Sequence, residues 1–375
     1  MKKVKLDNYV DILSGFAFKS SQFNDNKRGL PIVRIRNVKP AFSETYYDGE
    51  FNEKFLLNNG DILIGMDGEF NCEKWQGGKA LLNQRVCRIK SISDFLDDQY
   101  LFYFLSPVLK IIESKSNFVT VKHLSVKQVQ EIKIPLPPIA SQRRIADILD
   151  KADEIIRKRK EAIALTEQLQ KSIFLDMFGD PVINPKGWEK CQVKDIAKVK
   201  TGKTPSRKEN DNYGNSIRWV KTTEVINSII EETEEYLSEK GALQMNVFPE
   251  KTIIVAMYGQ GKTRGRTALL ANPSTTNQAC AAILPSYKYN TIYLWELLKL
   301  SYYRLRELGR GGNQPNLNLD MIKTFEIIFP PLENQEKFED IITKIQIQRA
   351  KNIKSLEESE NLFNSLLQKA FKGEL

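Results

Sequence analysis

The chain has 375 residues, enough for two or three domains with their own cores. Apolar residues at 41% argue against disorder, and 56 Lys and Arg against 47 Asp and Glu give a net charge of +9, which suits a polyanionic partner. No apolar run is long enough to predict a membrane span. The first residues lack the apolar stretch of a secretory signal. Four scattered Cys and one His leave little from which to build a metal cluster, a disulfide framework or a His-based triad, so a reducing cytoplasm is the expected compartment.

In chain order, residues 1–138 read as an α+β domain. Short β-branched runs (31–36 and 61–64) are separated by Gly, Asn and Asp turns, and an aromatic-rich helical stretch covers 100–109. Residues 139–180 follow Pro137-Pro138 and carry one apolar stripe at spacings of three and four: Ile145, Leu149, Ile156, Ile163, Leu169, Ile173 and Phe174. Residues 181–331 read as a second α+β domain, with a strand at 252–255 and a helical stretch at 293–305. Residues 332–375 follow Pro330-Pro331 and carry a second stripe: Phe338, Ile342, Ile345, Ile353, Leu356, Leu362, Leu366 and Phe371. A helix of about 38 residues is a rod of roughly 57 Å, whose single apolar seam must be buried. Packing the two rods together as an antiparallel coiled coil is the economical solution; the alternative folds each rod back on its own domain. The first solution makes a dumbbell with pseudo-twofold symmetry.

The two halves repeat one another. Ile134-Pro135-Leu136-Pro137-Pro138 with Gln142 matches Ile328-Phe329-Pro330-Pro331 with Gln335, 193 residues on. Asp61-Ile62-Leu63-Ile64 matches Thr252-Ile253-Ile254-Val255, Asn83-Gln84 matches Asn277-Gln278, and Leu124 matches Leu317. Ile32 to Arg36 is aligned with Ile217 to Lys221, an offset of 185. The expected fold is two tandem α/β units, each followed by a long helix.

Enzyme motifs fail in context. Ala256 to Gly261-Lys262-Thr263 and Ala197 to Gly202-Lys203-Thr204 resemble phosphate-binding loops, but neither Lys opens a helix: one runs into Pro205, the other into Arg264-Gly265-Arg266. Neither Gly179-Asp180-Pro181-Val182 nor Asn184-Pro185-Lys186-Gly187 is an amino-methylation motif. Asp67 and Glu69 are half of a nuclease pattern, replaced by Tyr258 and Gln260 in the second copy. The Glu231 to Glu235 run reads as a solvated face, and His123 as a polar loop residue. A stand-alone nuclease or NTPase, and a scaffold that does not read sequence, are the competing readings.

The loops between strands carry the signal. The first copy offers Arg34, Arg36, Lys74, Trp75, Lys79, Asn83, Gln84 and Arg85. The second offers Lys203, Trp219, Lys221, Gln260, Lys262, Arg264, Arg266, Asn277, Gln278, Arg310, Asn313 and Gln314. Arg and Lys pair with guanine edges, Asn and Gln pair with adenine edges, and Lys with loop amides suits phosphates. The framework strands agree between copies while these loops diverge, as expected of one scaffold reading two sequences.

The chain resembles the specificity subunits of type I restriction-modification systems. The resemblance is carried by the Ile-Pro-Leu-Pro-Pro segment with Gln142, by Phe329-Pro330-Pro331-Leu332 with Gln335, by Ser172-Ile173-Phe174-Leu175-Asp176-Met177-Phe178-Gly179-Asp180, by the Leu366 to Leu375 segment, and by Trp188 with Val193-Lys194-Asp195-Ile196-Ala197. The first copy lacks a leading Trp. The resemblance implies two target recognition domains, each reading one half of a bipartite asymmetric site in double-stranded DNA. It implies helices that set the unread spacer and dock two modification subunits, with restriction subunits joining the complex. The chain itself would be non-catalytic and hold no cofactor or metal. S-adenosylmethionine would serve the modification subunits, and ATP and Mg the restriction subunits.

Overall fold

The structure, a computed structural model, describes residues 3–115, 122–259, 261–309 and 316–375. The chain divides into two compact units: Met1–Lys160 with Lys354–Leu375, and Glu161–Ile353.

In unit 1 a four-stranded antiparallel sheet runs Val10–Ser14, Val86–Ser91, Ile62–Gly65, Cys72–Lys74. A five-stranded sheet includes Leu30–Val33 parallel to Ala80–Leu82. The continuous burial of Ile62–Gly65 and Ala80–Leu82 matches strands covered on both faces. A short ladder pairs Lys3–Lys5 with Lys133–Pro135. The 100–109 stretch is the middle of a longer helix, Asp98–Lys115, with Pro107 inside it.

Unit 2 repeats the plan. Ile253–Ala256 lies between Cys280–Ile283 and Thr267–Leu270, and Ile217–Val220 runs parallel to Ser274–Thr276. Lys190–Gln192 pairs with Glu326–Ile328. The expected 293–305 helix is two helices, Thr291–Leu300 and Tyr302–Leu308, broken at buried Ser301.

The repeat register needs one correction. Asn83 N donates to Val33 O at 3.2 Å and Asn277 N donates to Val220 O at 3.1 Å. Val33 pairs with Leu82 as Val220 pairs with Thr276. The offset is therefore 187 (33 against 220), so Arg34, not Arg36, stands opposite Lys221. Both cap short helical turns: Arg34 N donates to Asn37 Oδ1 and Lys221 N to Glu224 Oε2.

The long helices are Ile139–Phe178 and Leu332–Lys372. Both expected solutions for the seam are used. In unit 1, Ile145 and Leu149 enter the domain core together with Ala370, while Leu366 and Phe371 pack against it. Phe371 meets Tyr100 and Phe104 at ring distances of 5.3 and 5.1 Å. In unit 2, Phe174, Phe178, Phe338 and Ile342 share one core with Tyr293, and Ile173 and Ile345 lie against it. The helices run antiparallel: Lys160 pairs with Glu360 at 2.8 Å in unit 1, and Glu167 with Arg349 at 2.7 Å in unit 2. Ile156 is buried, and Ile163 and Leu356 are half-buried. Leu169, Ile353 and Leu362 are exposed, so the seam is narrower than the sequence stripe. No helix among the described residues is long and apolar enough to cross a membrane.

Candidate functional site

In unit 1 the chain before the Val86–Ser91 strand makes a tight return. Arg85 has φ +67, and both Gln84 and Arg85 face solvent. Gly15 makes the neighbouring approach possible, because a Cβ there would sit 2.0 Å from Asn83 O. Phe16 N then donates to Leu82 O, and Gln84 N to Phe16 O, at 3.0 and 2.9 Å. Phe16, half-exposed, packs edge-on to Phe18 at 5.2 Å. Asp67 joins this end: it pairs with Arg85 at 3.2 Å and with His123 Nδ1 at 2.6 Å. His123, Asp67 and Arg85 are therefore parts of one polar cluster.

Unit 2 builds the same corner with other residues. A Cβ on Gly202 would sit 1.9 Å from Thr276 O, and Lys203 N donates to that oxygen at 2.9 Å. Lys203 thus stands where Phe16 stands. Gln278 is exposed and accepts a bond from the Thr204 hydroxyl. Asn277 holds the turn, its Oδ1 accepting from Ala279 N at 3.1 Å.

Several expected readers are placed differently. Trp75 and Trp219 are core residues, 1% and 2% exposed, and Asn83 is buried with Oδ1 accepting from Phe18 N. Lys74 lies in a strand rather than a loop. Its ammonium is 5.5 Å from the Phe102 ring, in a recess shared with Asp150, Asp153 and Glu154, so it faces carboxylates. Burial lowers its pKa. Arg264 is 8% exposed. Lys221 is clamped by Glu234 and Glu235 at 2.9 and 3.0 Å, which raises its pKa. The acidic run is accordingly not merely solvated: Glu235 also binds Arg207 at 2.7 Å, and Glu232 binds Arg218 at 2.8 Å. Arg34 donates to Thr45 Oγ1, and its pKa is lowered by burial.

Arg36, Lys79, Gln84, Arg85, Lys203, Lys262 and Gln278 remain exposed, and Arg266 is half-exposed. Gln260, Arg310, Asn313 and Gln314 lie outside the described residues. The sequence reading missed Phe16, Tyr302, Tyr303 and Arg306, which the fold brings beside the expected readers. The spacing of Tyr302, Tyr303 and Arg306 within one helical turn was the available signal. Among the described residues no His, Cys, Asp and Glu grouping could hold a metal.

The same corner, built twice and decorated differently, agrees with the comparisons. The family described as type I restriction modification DNA specificity domain matches residues 1–165 and 185–358. The chain belongs to this family. Its members recognise DNA sequence within type I restriction-modification systems and assemble with the other subunits. The chain is 28% identical to the Type I restriction enzyme EcoBI specificity subunit of Escherichia coli, over 100% of this chain and 86% of that protein. It is 25% identical to the MjaVIII specificity subunit of Methanocaldococcus jannaschii, over 84% and 80%. In fold it is similar to the type I S subunit from M. genitalium, with a TM-score of 0.64 at 15% identity, covering 99% of this chain and 96% of that one. A structure concerned with complex assembly and conformational transition of the type I R-M system gives a TM-score of 0.56 at 18% identity, covering 100% and 98%. In this specificity chain the two family matches fall on the two copies of the repeat.

Proposed function

We propose that this chain is the sequence-reading subunit of a type I restriction-modification complex, with each unit reading one half of a bipartite, asymmetric site in double-stranded DNA. The observation that carries this reading is the duplicated corner: one backbone arrangement presents Phe16, Gln84 and Arg85 in the first copy and Lys203, Gln278 and Ala279 in the second. Different side chains on one scaffold meet different base edges. The paired helices set the unread spacer and dock two modification subunits, and restriction subunits complete the assembly in the cytoplasm. The chain is non-catalytic, and S-adenosylmethionine, ATP and Mg belong to its partners.

The test is long-read mapping of N6-methyladenine in cells carrying this chain with its own modification subunit, against cells lacking it. One two-part motif with a fixed gap, present only with the chain, is the expected result. Methylation that is independent of the chain would overturn the reading.

A further inference from the structure

In unit 2 the loop following Ile253–Ala256 is fastened to the Tyr302–Leu308 helix. Gly265 has φ +83, and a Cβ there would meet Arg306 Cγ at 3.0 Å, so the loop comes this close only through a residue without a side chain. Arg306 Nη1 donates to Arg264 O at 2.9 Å and to the Tyr302 hydroxyl oxygen at 3.1 Å. The Tyr302 hydroxyl donates to Lys262 O at 2.8 Å. A cavity of about 360 Å³ opens between loop and helix, walled by Lys262, Arg266, Arg306, Tyr302 and Tyr303. No carboxylate lines it, and none of its three cations has an acidic partner among the described residues. Like charges gathered in one recess repel each other unless an anion enters.

Unit 1 has the opposite charge at the same place. Tyr100 and Tyr293 are equivalent at 193 residues, and the same offset sets Glu113 opposite Arg306. Glu113 holds its own loop by accepting from Phe70 N at 2.9 Å, and it is neutralised by Lys110 at 3.0 Å and Lys122 at 3.9 Å. One copy is therefore closed on itself, and the other is left positive and open.

We infer that the unit 2 cavity is a seat for one phosphodiester group of the DNA backbone, an inference that rests on the sequence-reading function proposed above. Lys262, Arg266 and Arg306 give charge-assisted bonds to the non-bridging oxygens. Tyr303, 78% exposed, offers its ring to the adjoining sugar. Among its described residues unit 1 has no such seat, so the two half-sites are held with unequal dependence on salt.

The assembled complex with its modification subunits is titrated with a duplex carrying the mapped motif, between about 50 and 200 mM salt. Lys262→Gln, whose side chain makes no bond that supports the loop, is expected to lower the slope of log affinity against log salt by about 1. Arg266→Gln is expected to do the same, and Lys110→Gln in unit 1 to leave the slope unchanged. Single methylphosphonate substitutions then locate the group: the neutralised phosphate that weakens the parent complex is expected to stop mattering in Lys262→Gln. Unchanged slopes and an unchanged methylphosphonate profile in both variants, with specific binding intact, overturn the seat but not the reading. Absence of specific binding by the parent complex overturns both.

Discussion

Gln142 and Gln335 occupy one position of the fold twice. Gln142 donates to the carbonyl of Pro137 at 2.8 Å and accepts from Asp97 N at 3.0 Å; Gln335 donates to the carbonyl of Pro330 at 2.8 Å and accepts from Asn290 N at 2.9 Å. Both side chains are fully buried, so each amide ties the start of a long helix to the domain it follows. Replacing either by Ala strands buried backbone groups. Each unsatisfied group costs about 1–3 kcal/mol. Denaturant titration is expected to show that loss for Gln142→Ala and Gln335→Ala alike, with no change in the bases methylated.

Gly15→Ala and Gly202→Ala are expected to be worse than their one added methyl suggests. The new Cβ meets a backbone oxygen, Asn83 O or Thr276 O, which cannot swing away. The corner must open, displacing Gln84 in the first variant and Gln278 in the second. Each variant is expected to lose one half-site, as read by methylation mapping of hybrid targets.

Gln278→Ala removes an exposed side chain that accepts a bond from the Thr204 hydroxyl, so the strands of the scaffold keep their pairing. Discrimination at one base pair is expected to relax by about 1–3 kcal/mol, in one half-site only. Equal relaxation in both halves would contradict independent reading by two units.

Phe174→Ala removes a ring buried among Phe178, Tyr293 and Phe338, at centroid distances of 5.0, 5.7 and 5.5 Å. The expected loss is about 3–5 kcal/mol. Calorimetry of the full chain is expected to show the transition containing unit 2 shifted to lower temperature.

The thiols predict the alkaline limit of stability. Burial pushes Cys87 from 9.0 up to about 12, and pushes the half-buried Cys191 up to about 11. The folded state therefore keeps its protons where the unfolded chain gives them up. This contribution is whole below pH 9 and is lost as pH rises toward 11 and 12. The urea midpoint is expected to fall between pH 8 and pH 10.5, and Cys87→Ala to lessen the fall. At pH 8 iodoacetamide is expected to label Cys191 first and the buried Cys72, Cys87 and Cys280 only on unfolding.

The framework was legible because periodicity and repetition survive in the residues that pack. The Gln142/Gln335 match, the two Pro-Pro helix starts and the Ile62 and Ile253 strands all stand where the pattern put them. The aligned register at Ile32 failed because short strands of similar apolar residues score well when slipped by two positions, and only the pairing with Leu82 and Thr276 decides between them. The candidate site was less legible. Charge on a residue does not reveal whether a partner lies nearby in space: Lys74 turns to Asp150, and Lys221 turns to Glu234 and Glu235, carboxylates distant or unremarkable in sequence. Trp75 and Trp219 looked like loop residues because the strands around them are three and four residues long.

Unit 1 is closed by residues 354–375, with Ala370 fully buried in its core, whereas unit 2 is one unbroken stretch of chain. Synthesis runs from the N-terminus, so unit 1 is begun before unit 2 and finished after it. The early strands of unit 1 and the Asp98–Lys115 helix emerge with an apolar surface that awaits residues 354–375, while the second domain completes itself on the way. A message broken shortly before codon 354 would thus spare the later domain and ruin the earlier one.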